Sequence, residues 1–552
     1  MGGAYGIPAK AVHLRNLAVA CDMLMSSVTH FHHLAAPSYI QGPAMPPWTP
    51  WFNNADYHSL LQNPGGNTAL PTKTEGFADN LWSAVIEQYI KALRIRRLIF
   101  EASALFIGRA PMTSNIVAGG VTVDHSDAQF AAKCDTFKNI MEEVAEFIVK
   151  EYVPVALALG ALYQGYDNGY NGGQGWGGGL GNYLSWGGYP QVGGGIAIKG
   201  GKVDNLGTPD VFMSGHSDLT TAIGRVKDGL KEYITWSRYK DDLDNFGDDH
   251  GAYPGAVTRT EVDREGNADA YSYLKAPRFD GLAREVGPMA RMFVNGWFQD
   301  GVELATSLAT SGLGGLAGYD AYVNNAHGVN GLKPSMIGAN LAVALVRDGL
   351  ATLTTAGGVV DAAAIAGLTQ AQIAAAYTDD NVITGTVADW VLGLTAGKST
   401  MDRLRARALE SLLLIQRVAG PYGDFSGGWI DQVKALAGQA TFIPKPTPMG
   451  VRSGFGCIEA PRGALAHFSS IDKGKITAYQ CVVPYTWNGS PRSNAAGNDR
   501  GATEEALIGV PFANNPTVVV GPGIAANTSA AGGVEVLRVC QSFDPCLACA
   551  VQ

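Results

Sequence analysis

Two cysteines near the end of the chain, Cys546 and Cys549, sit in the run Asp544-Pro545-Cys546-Leu547-Ala548-Cys549, three residues before Gln552. Two thiols at this spacing can reach one metal ion or each other. Taken alone the pair is open to three readings: half of a structural zinc site, a redox disulfide, or chance. Zinc needs a second Cys/His pair, and the chain contains no other CxxC, CxxH or HxxC. A thioredoxin-type motif sits where a strand enters a helix, whereas here the sequence stops. Nickel or iron is the more attractive occupant, because thiolates suit soft or redox-active metals. Chain ends fray unless tied down, so a terminus that carries ligands is expected to be buried by what surrounds it.

Several segments can do the positioning. Leu81 to Phe106, Ala128 to Val149 and Met401 to Ala419 carry apolar residues at three-to-four spacing and predict long amphipathic helices. Ala464 to Ile471 and Lys475 to Val483 predict a hairpin turning at Asp472-Lys473-Gly474. Arg462 and Pro484 lie equally far from Lys473, so the hairpin is expected to bring a guanidinium beside Pro484-Tyr485-Thr486. Residues 166–201 are rich in Gly, Tyr, Asn and Trp with no period, and predict a long surface loop or disorder. The Ala/Gly/Thr-rich stretch 338–398 predicts an insertion of small-residue helices. His30, His32 and His33 cluster on an apolar segment, where histidines more often satisfy packing than bind metal.

Bulk properties narrow the classes. A net charge of -9, with no Lys/Arg cluster interleaved by aromatics, argues against nucleic acid. Charged residues make up 16% of the chain, below the usual ~25%, which points to extensive burial or a large partner interface. Seven cysteines spread over 552 residues do not form a secreted disulfide framework. No apolar run reaches membrane-spanning length. Met1 to Leu34 lacks a signal peptide's ordered regions, so export would depend on another chain's signal.

Five ordered blocks carry a resemblance. Ser542 to Val551 strongly resembles the C-terminal signature of nickel-iron hydrogenase large subunits. Phe106-Ile107-Gly108-Arg109-Ala110-Pro111 with Gly119 to Thr122 is similar to that family's second motif, and Lys275 to Gly281 with Glu285 to Arg291 to its central one. Glu459-Ala460-Pro461-Arg462-Gly463-Ala464-Leu465, and Val482-Val483-Pro484 with Thr486-Trp487-Asn488, complete the set. The blocks look most like the membrane-associated uptake group.

The resemblance implies an α+β, mainly helical fold in one large-subunit-like body, with small β-elements and a β-rich part at 455–552 carrying metal ligands. It implies reversible oxidation of H2 at a nickel-iron centre bearing CO and cyanide. Cys546 would be a terminal nickel ligand and Cys549 a bridge between the metals. Pro461, Pro484 and Tyr485 would contact the centre, and Gln552 with the Cys481 carbonyl would hold magnesium. Arg462, paired with Asp544 or Glu459, would assist dihydrogen splitting. The sequence stops where the family's precursor is clipped, so a mature chain, or one encoded without the tail, is expected.

The resemblance also exposes departures. The family's N-terminal RxCxxC has no counterpart, and His13 to Leu34 already resembles the region that follows it. A centre with two thiolates is chemically incomplete, so a separate chain is expected to supply the missing CxxC. Met25-Ser26-Ser27 replaces the usual His-Asp-His, Met112 a His, Tyr485 a Ser or Thr, and Gln541 and Gln552 two histidines. An iron-sulfur small subunit is the implied electron partner. The implied location is membrane-associated, on the periplasmic face through a partner's export signal, with the cytoplasm as the alternative. The competing function is an inactive hydrogenase-like electron-transfer or scaffold subunit; the retained Cys546 and Cys549 speak against it.

Overall fold

The computed structural model describes residues 6–39, 81–110, 112–124, 126–153, 155–156, 159, 177–241, 260–262, 268–296, 352–355, 358–360, 382–384, 398–420, 422, 424–445, 450–493, 499–510 and 534–551. The helical core is built on α1 (Ala9–Thr29), α2 (Leu81–Ile107) and α3 (Phe130–Phe147). The helices α4 (Pro288–Val294) and α5 (Thr400–Ala419) pack against this group. Most residues of α1 are buried, the polar Lys10, His13 and Asn16 included, as befits a helix packed among others. α5 begins with a capping box: the Ser399 hydroxyl accepts from the Asp402 N–H, and the Asp402 carboxylate accepts from Ser399 N–H. The helices predicted at 81–106, 128–149 and 401–419 thus occur within a few residues of their expected ends, and 148–152 continues α3 as a π-helical turn.

Two three-stranded antiparallel sheets flank the helices. In the first, β1 (Tyr183–Pro190), β2 (Gly195–Val203) and β3 (Asp210–Gly215) pair in sequence order. β1 and most of β2 fall inside the stretch expected to be a loop. The expectation fails because Tyr183 to Trp186 is buried in an unbroken run, so period-two alternation never appears. The glycines also have a packing reason. A Cβ on Gly200 would lie 2.5 Å from the Trp186 carbonyl oxygen of the neighbouring strand. The part of the loop expectation at 166–176 lies outside the described residues.

The second sheet orders β4 (Arg452–Ala460), β5 (Gly463–Asp472) and β6 (Lys475–Val482). The hairpin β5–β6 is the expected one; β4 was not anticipated. Its register differs from the symmetric expectation by two residues. Lys473 (φ 49°) and Gly474 (φ 77°) form a two-residue left-handed turn, and a bulge at Ser470/Ile471 adds another step, so Ala466 faces Val482. Of the stretch expected to hold small-residue helices, the described parts are strands: 352–355 pairs with 358–360 and 382–384. Their β-branched Thr, Val and Ile favour that state over a helix.

Candidate metal centre

The approach to the terminal cysteines is firmly held. After α6 (Pro484–Asn488) and α7 (Val534–Ser542), Phe543 and Asp544 are 3% and 2% exposed. The Arg403 guanidinium lies 3.8 Å over the Phe543 ring. Glu285 grips that guanidinium through bonds of 2.7 and 2.9 Å, and the Gly177 carbonyl accepts another at 2.7 Å. From the N-terminal segment, His30 Nε2 donates to the Gln541 carbonyl at 2.6 Å and Ser38 Oγ donates to the Gln541 side chain at 2.9 Å. His32 and His33 are therefore satisfied packing: His32 meets Val28 and Gln88, and His33 meets the Tyr89 carbonyl.

Beyond Asp544, which adopts a left-handed φ of 54°, the chain turns outward. Ala550, in the short helix α8 (Leu547–Ala550), is buried against the cluster that includes Tyr485 and Val483. Pro545, Leu547, Ala548 and Cys549 are exposed, and Cys546 is half-buried. The expected burial of the ligand-bearing terminus is thus corrected. Its base is buried, while the CxxC itself forms a wall open to the outside of this chain. Cys546 and Cys549 are joined as a disulfide, with Cα atoms 5.3 Å apart; as metal ligands they would act as two separate thiolates.

Arg462 faces this motif from the turn between β4 and β5. Its Nε lies 3.1 Å from Asp544 Oδ1, an ion pair in which the N–H is not aimed along the bond. Glu459, the other candidate partner, is instead taken by Arg291 at 2.7 Å and by the Trp186 N–H at 2.6 Å. Arg291, from α4, also pairs with Glu410 and donates to the carbonyls of Ala460 and Pro461, each at 3.0 Å. It thereby fixes the turn that carries Arg462. Two glycines allow the approach. Gly463 has φ 129°, and a Cβ there would lie 2.5 Å from Gly287 N; one on Gly287 (φ 120°) would lie 3.0 Å from the Arg462 carbonyl oxygen.

Charge follows from these neighbours. Burial pushes the Asp544 carboxyl up, but His30, Arg407 and Arg462 outweigh it and bring it below the ordinary carboxylate range. Burial pushes His30 down to about 4, which keeps the ring neutral at physiological pH. Burial raises the Tyr485 phenol.

The remaining expected residues are placed as follows. Pro484 and Tyr485 open α6, both buried, with the Tyr485 ring against Gly489. Cys481 lies on β6 opposite His467. Gln552 and Pro111 lie outside the described residues. Met112, where a histidine is usual, is 69% exposed. Among the described residues no group of three His, Cys, Asp or Glu side chains gathers at metal-binding spacing. Yet the shell behind the thiols is rich in unused polarity. His30 Nδ1, Arg407 Nη1 and Thr486 Oγ1 are buried without a hydrogen-bond partner among the described residues. Buried polar atoms are nearly always satisfied, so these fit a polar group beside the thiols. The residues present fit half of a thiolate-bound metal centre. Sequence reasoning missed Arg291, Arg403 and Arg407; a buried arginine leaves no local pattern, and only its place inside the Glu285 to Arg291 block hinted at Arg291.

Comparison with known proteins defines the class. The nickel-dependent hydrogenase family model matches residues 77–313 and 357–552, and the chain belongs to that family. Among characterised relatives, it is 28% identical to the periplasmic [NiFeSe] hydrogenase large subunit of Desulfomicrobium baculatum, over 97% of this chain and 77% of that one. It is 27% identical to the uptake hydrogenase large subunit of Rhizobium leguminosarum bv. viciae, over 98% and 81%. The solved structure of the H2-activated Dm. baculatum [NiFeSe]-hydrogenase superposes with a TM-score of 0.64 at 27% identity, covering 98% of this chain and 82% of that one.

Proposed function

We infer that this chain is the catalytic large subunit of a nickel-dependent hydrogenase, converting H2 reversibly to two protons and two electrons. The observation that carries the reading is the outward-facing Cys546/Cys549 pair backed by a buried, ionised Asp544 and the cation Arg462. Cys546 and Cys549 would hold nickel and iron, the iron bearing CO and cyanide, and this group supplies Lewis-acid and redox chemistry when bound. Arg462 presents a fixed cation at the mouth of the site, where it favours developing negative charge. Asp544 keeps Arg462 in place. Pro461, Pro484 and Tyr485 would line the centre, and the Cys481 carbonyl with Gln552 would offer hard oxygen ligands to magnesium.

The open wall is the reason to look outside this sequence for the rest. A thiolate-bearing segment absent from residues 1–552, here proposed to lie on a separate chain, covers Cys546 and Cys549 and completes the ligand set. Electrons leave to an iron-sulfur small subunit, and the assembly sits at the periplasmic face of a membrane. Among the described residues no helix is long and apolar enough to cross one. The test is H2-dependent reduction of a dye by the purified complex. Activity that disappears in Cys546→Ser, together with nickel, supports the reading; a nickel-free parent complex without H2 turnover refutes it.

A further inference from the structure

The sheet β4–β5–β6 has two unlike faces. Alternation along the strands and the pairings Cys457–Ala466 and Ala466–Val482 put Phe455, Ala464, Phe468 and Val482 on one face, where they pack into a core with Trp186 and Trp487. The pairings Ile458–Leu465, Gly456–His467 and His467–Cys481 define the other face, and Tyr479 joins it two residues before Cys481. None of these six residues is an Asp, Glu, Lys or Arg. Ile458 and Tyr479 are 41% and 54% exposed, and a Cβ on Gly456 would meet no atom within 4 Å. Tyr479 is held in place over this face: its hydroxyl lies 2.5 Å from His467 Nδ1. A preset aromatic side chain has little freedom left to lose on association. The surface continues past the sheet. Leu465 and Cys481 pack against the cluster that contains Ala550 of α8, and Leu547 and Val551, at the two ends of α8, are 59% and 42% exposed. One apolar surface therefore runs from the outer face of the sheet to the two terminal cysteines.

We propose that this outer face, with Tyr479 at its centre, is the docking surface of the chain that supplies the missing thiolates. This deepens the split-ligand reading above and rests on it. Coordination chemistry selects the occupant. Two thiolates leave a metal centre incomplete, so the completing chain must reach Cys546 and Cys549 from outside, over the surface that adjoins them. Side-chain chemistry agrees. The cores of protein interfaces are depleted of Asp, Glu and Lys and enriched in Tyr, and contiguous exposed apolar surface marks association. The occupant is a polypeptide with an uncharged apolar segment that lies over Gly456 and Tyr479. A cysteine-bearing segment of the same polypeptide continues past Leu547 to the thiols.

The test uses the assembled complex and two measurements. In the first, p-benzoylphenylalanine in place of Ile458 is photolysed and mass spectrometry identifies the chain it captures. The expected product joins this chain to one that contains a CxxC and is distinct from the iron-sulfur subunit. In the second, Gly456→Glu sets a carboxylate in the middle of the face without meeting any atom of this chain. It is expected to weaken association with that CxxC-bearing chain by on the order of 10- to 100-fold, and Gly456→Ser by much less. Cross-links confined to this chain or to the iron-sulfur subunit, no cross-link, or parental affinity in Gly456→Glu overturn the docking surface. Intact-mass analysis of the parent complex separates that failure from failure of the underlying reading. A nickel-containing complex with no further CxxC-bearing chain refutes the split ligand set, and the proposed occupant with it.

Discussion

Replacing Arg291 by Met isolates the contribution of the network that fixes the Arg462 turn. Arg291 is fully buried, and its partners Glu410 and Glu459 are 5% and 1% exposed. Burial alone would lower its pKa, but the two carboxylates outweigh that and hold it above the usual arginine value, so the side chain is a buried cation. Its removal strands two buried carboxylates and the carbonyls of Ala460 and Pro461. Breaking a buried pair by removing one partner costs about 3–5 kcal/mol. With roughly 2.1 cal/mol/K of unfolding entropy per residue over 552 residues, that corresponds to a fall of about 3–4 °C in Tm for cooperative unfolding. Calorimetry of the complex measures the shift. A triple variant, Arg291→Met with Glu410→Leu and Glu459→Met, should regain most of the stability, because no buried charge is left unpaired. It should not regain H2 turnover, because nothing then holds the Ala460–Pro461 carbonyls. A Tm within about 1 °C of the parent in the single variant, with full turnover, refutes the reasoning.

Three further outcomes are expected. His30 and His32 are each pushed down to about 4 by burial, from 6.5. The unfolded chain then binds more protons between these values, so their stabilising contribution is complete above about 6.5 and is lost as pH falls toward 4, by about 3 kcal/mol each; thermal melts at pH 7.5 and 5 measure the loss, and His32→Gln should roughly halve it. Gly463→Ala forces a Cβ within 2.5 Å of Gly287 N at φ 129°, so it should displace Arg462 and depress turnover far more than Gly454→Ala, whose added Cβ meets nothing within 4 Å. Arg403→Ala removes the cation stacked on Phe543 and strands buried Glu285, and limited proteolysis should then cleave the C-terminal motif sooner than in the parent.

How far the sequence foretold this arrangement depends on whether neighbours along the chain decide it. α2 and α5 were legible because their apolar residues recur with the helical period, and the Asp472-Lys473-Gly474 turn because its residues tolerate left-handed backbone. The Arg462–Asp544 pair was legible by charge and motif. β1 and β2 were not, since glycines serving close strand contact and an unbroken buried run both erase alternation. The two-residue offset of the hairpin came from a bulge that no residue type announces. The buried guanidinium networks of Arg291 and Arg403 join residues more than a hundred positions apart, a separation that local pattern cannot encode. The outward-facing CxxC ran against expectation because burial of the base, through Phe543 and Asp544, does not extend to the residues after it.

The central claim is that Cys546 and Cys549 hold the nickel-bearing half of a centre completed from elsewhere. Nickel K-edge X-ray absorption on the purified complex tests it most directly. Stoichiometric nickel with more sulfur neighbours than these two cysteines provide, and loss of that signal in Cys546→Ser, is the predicted result. Zinc in place of nickel, or a nickel signal unchanged by the substitution, would contradict it.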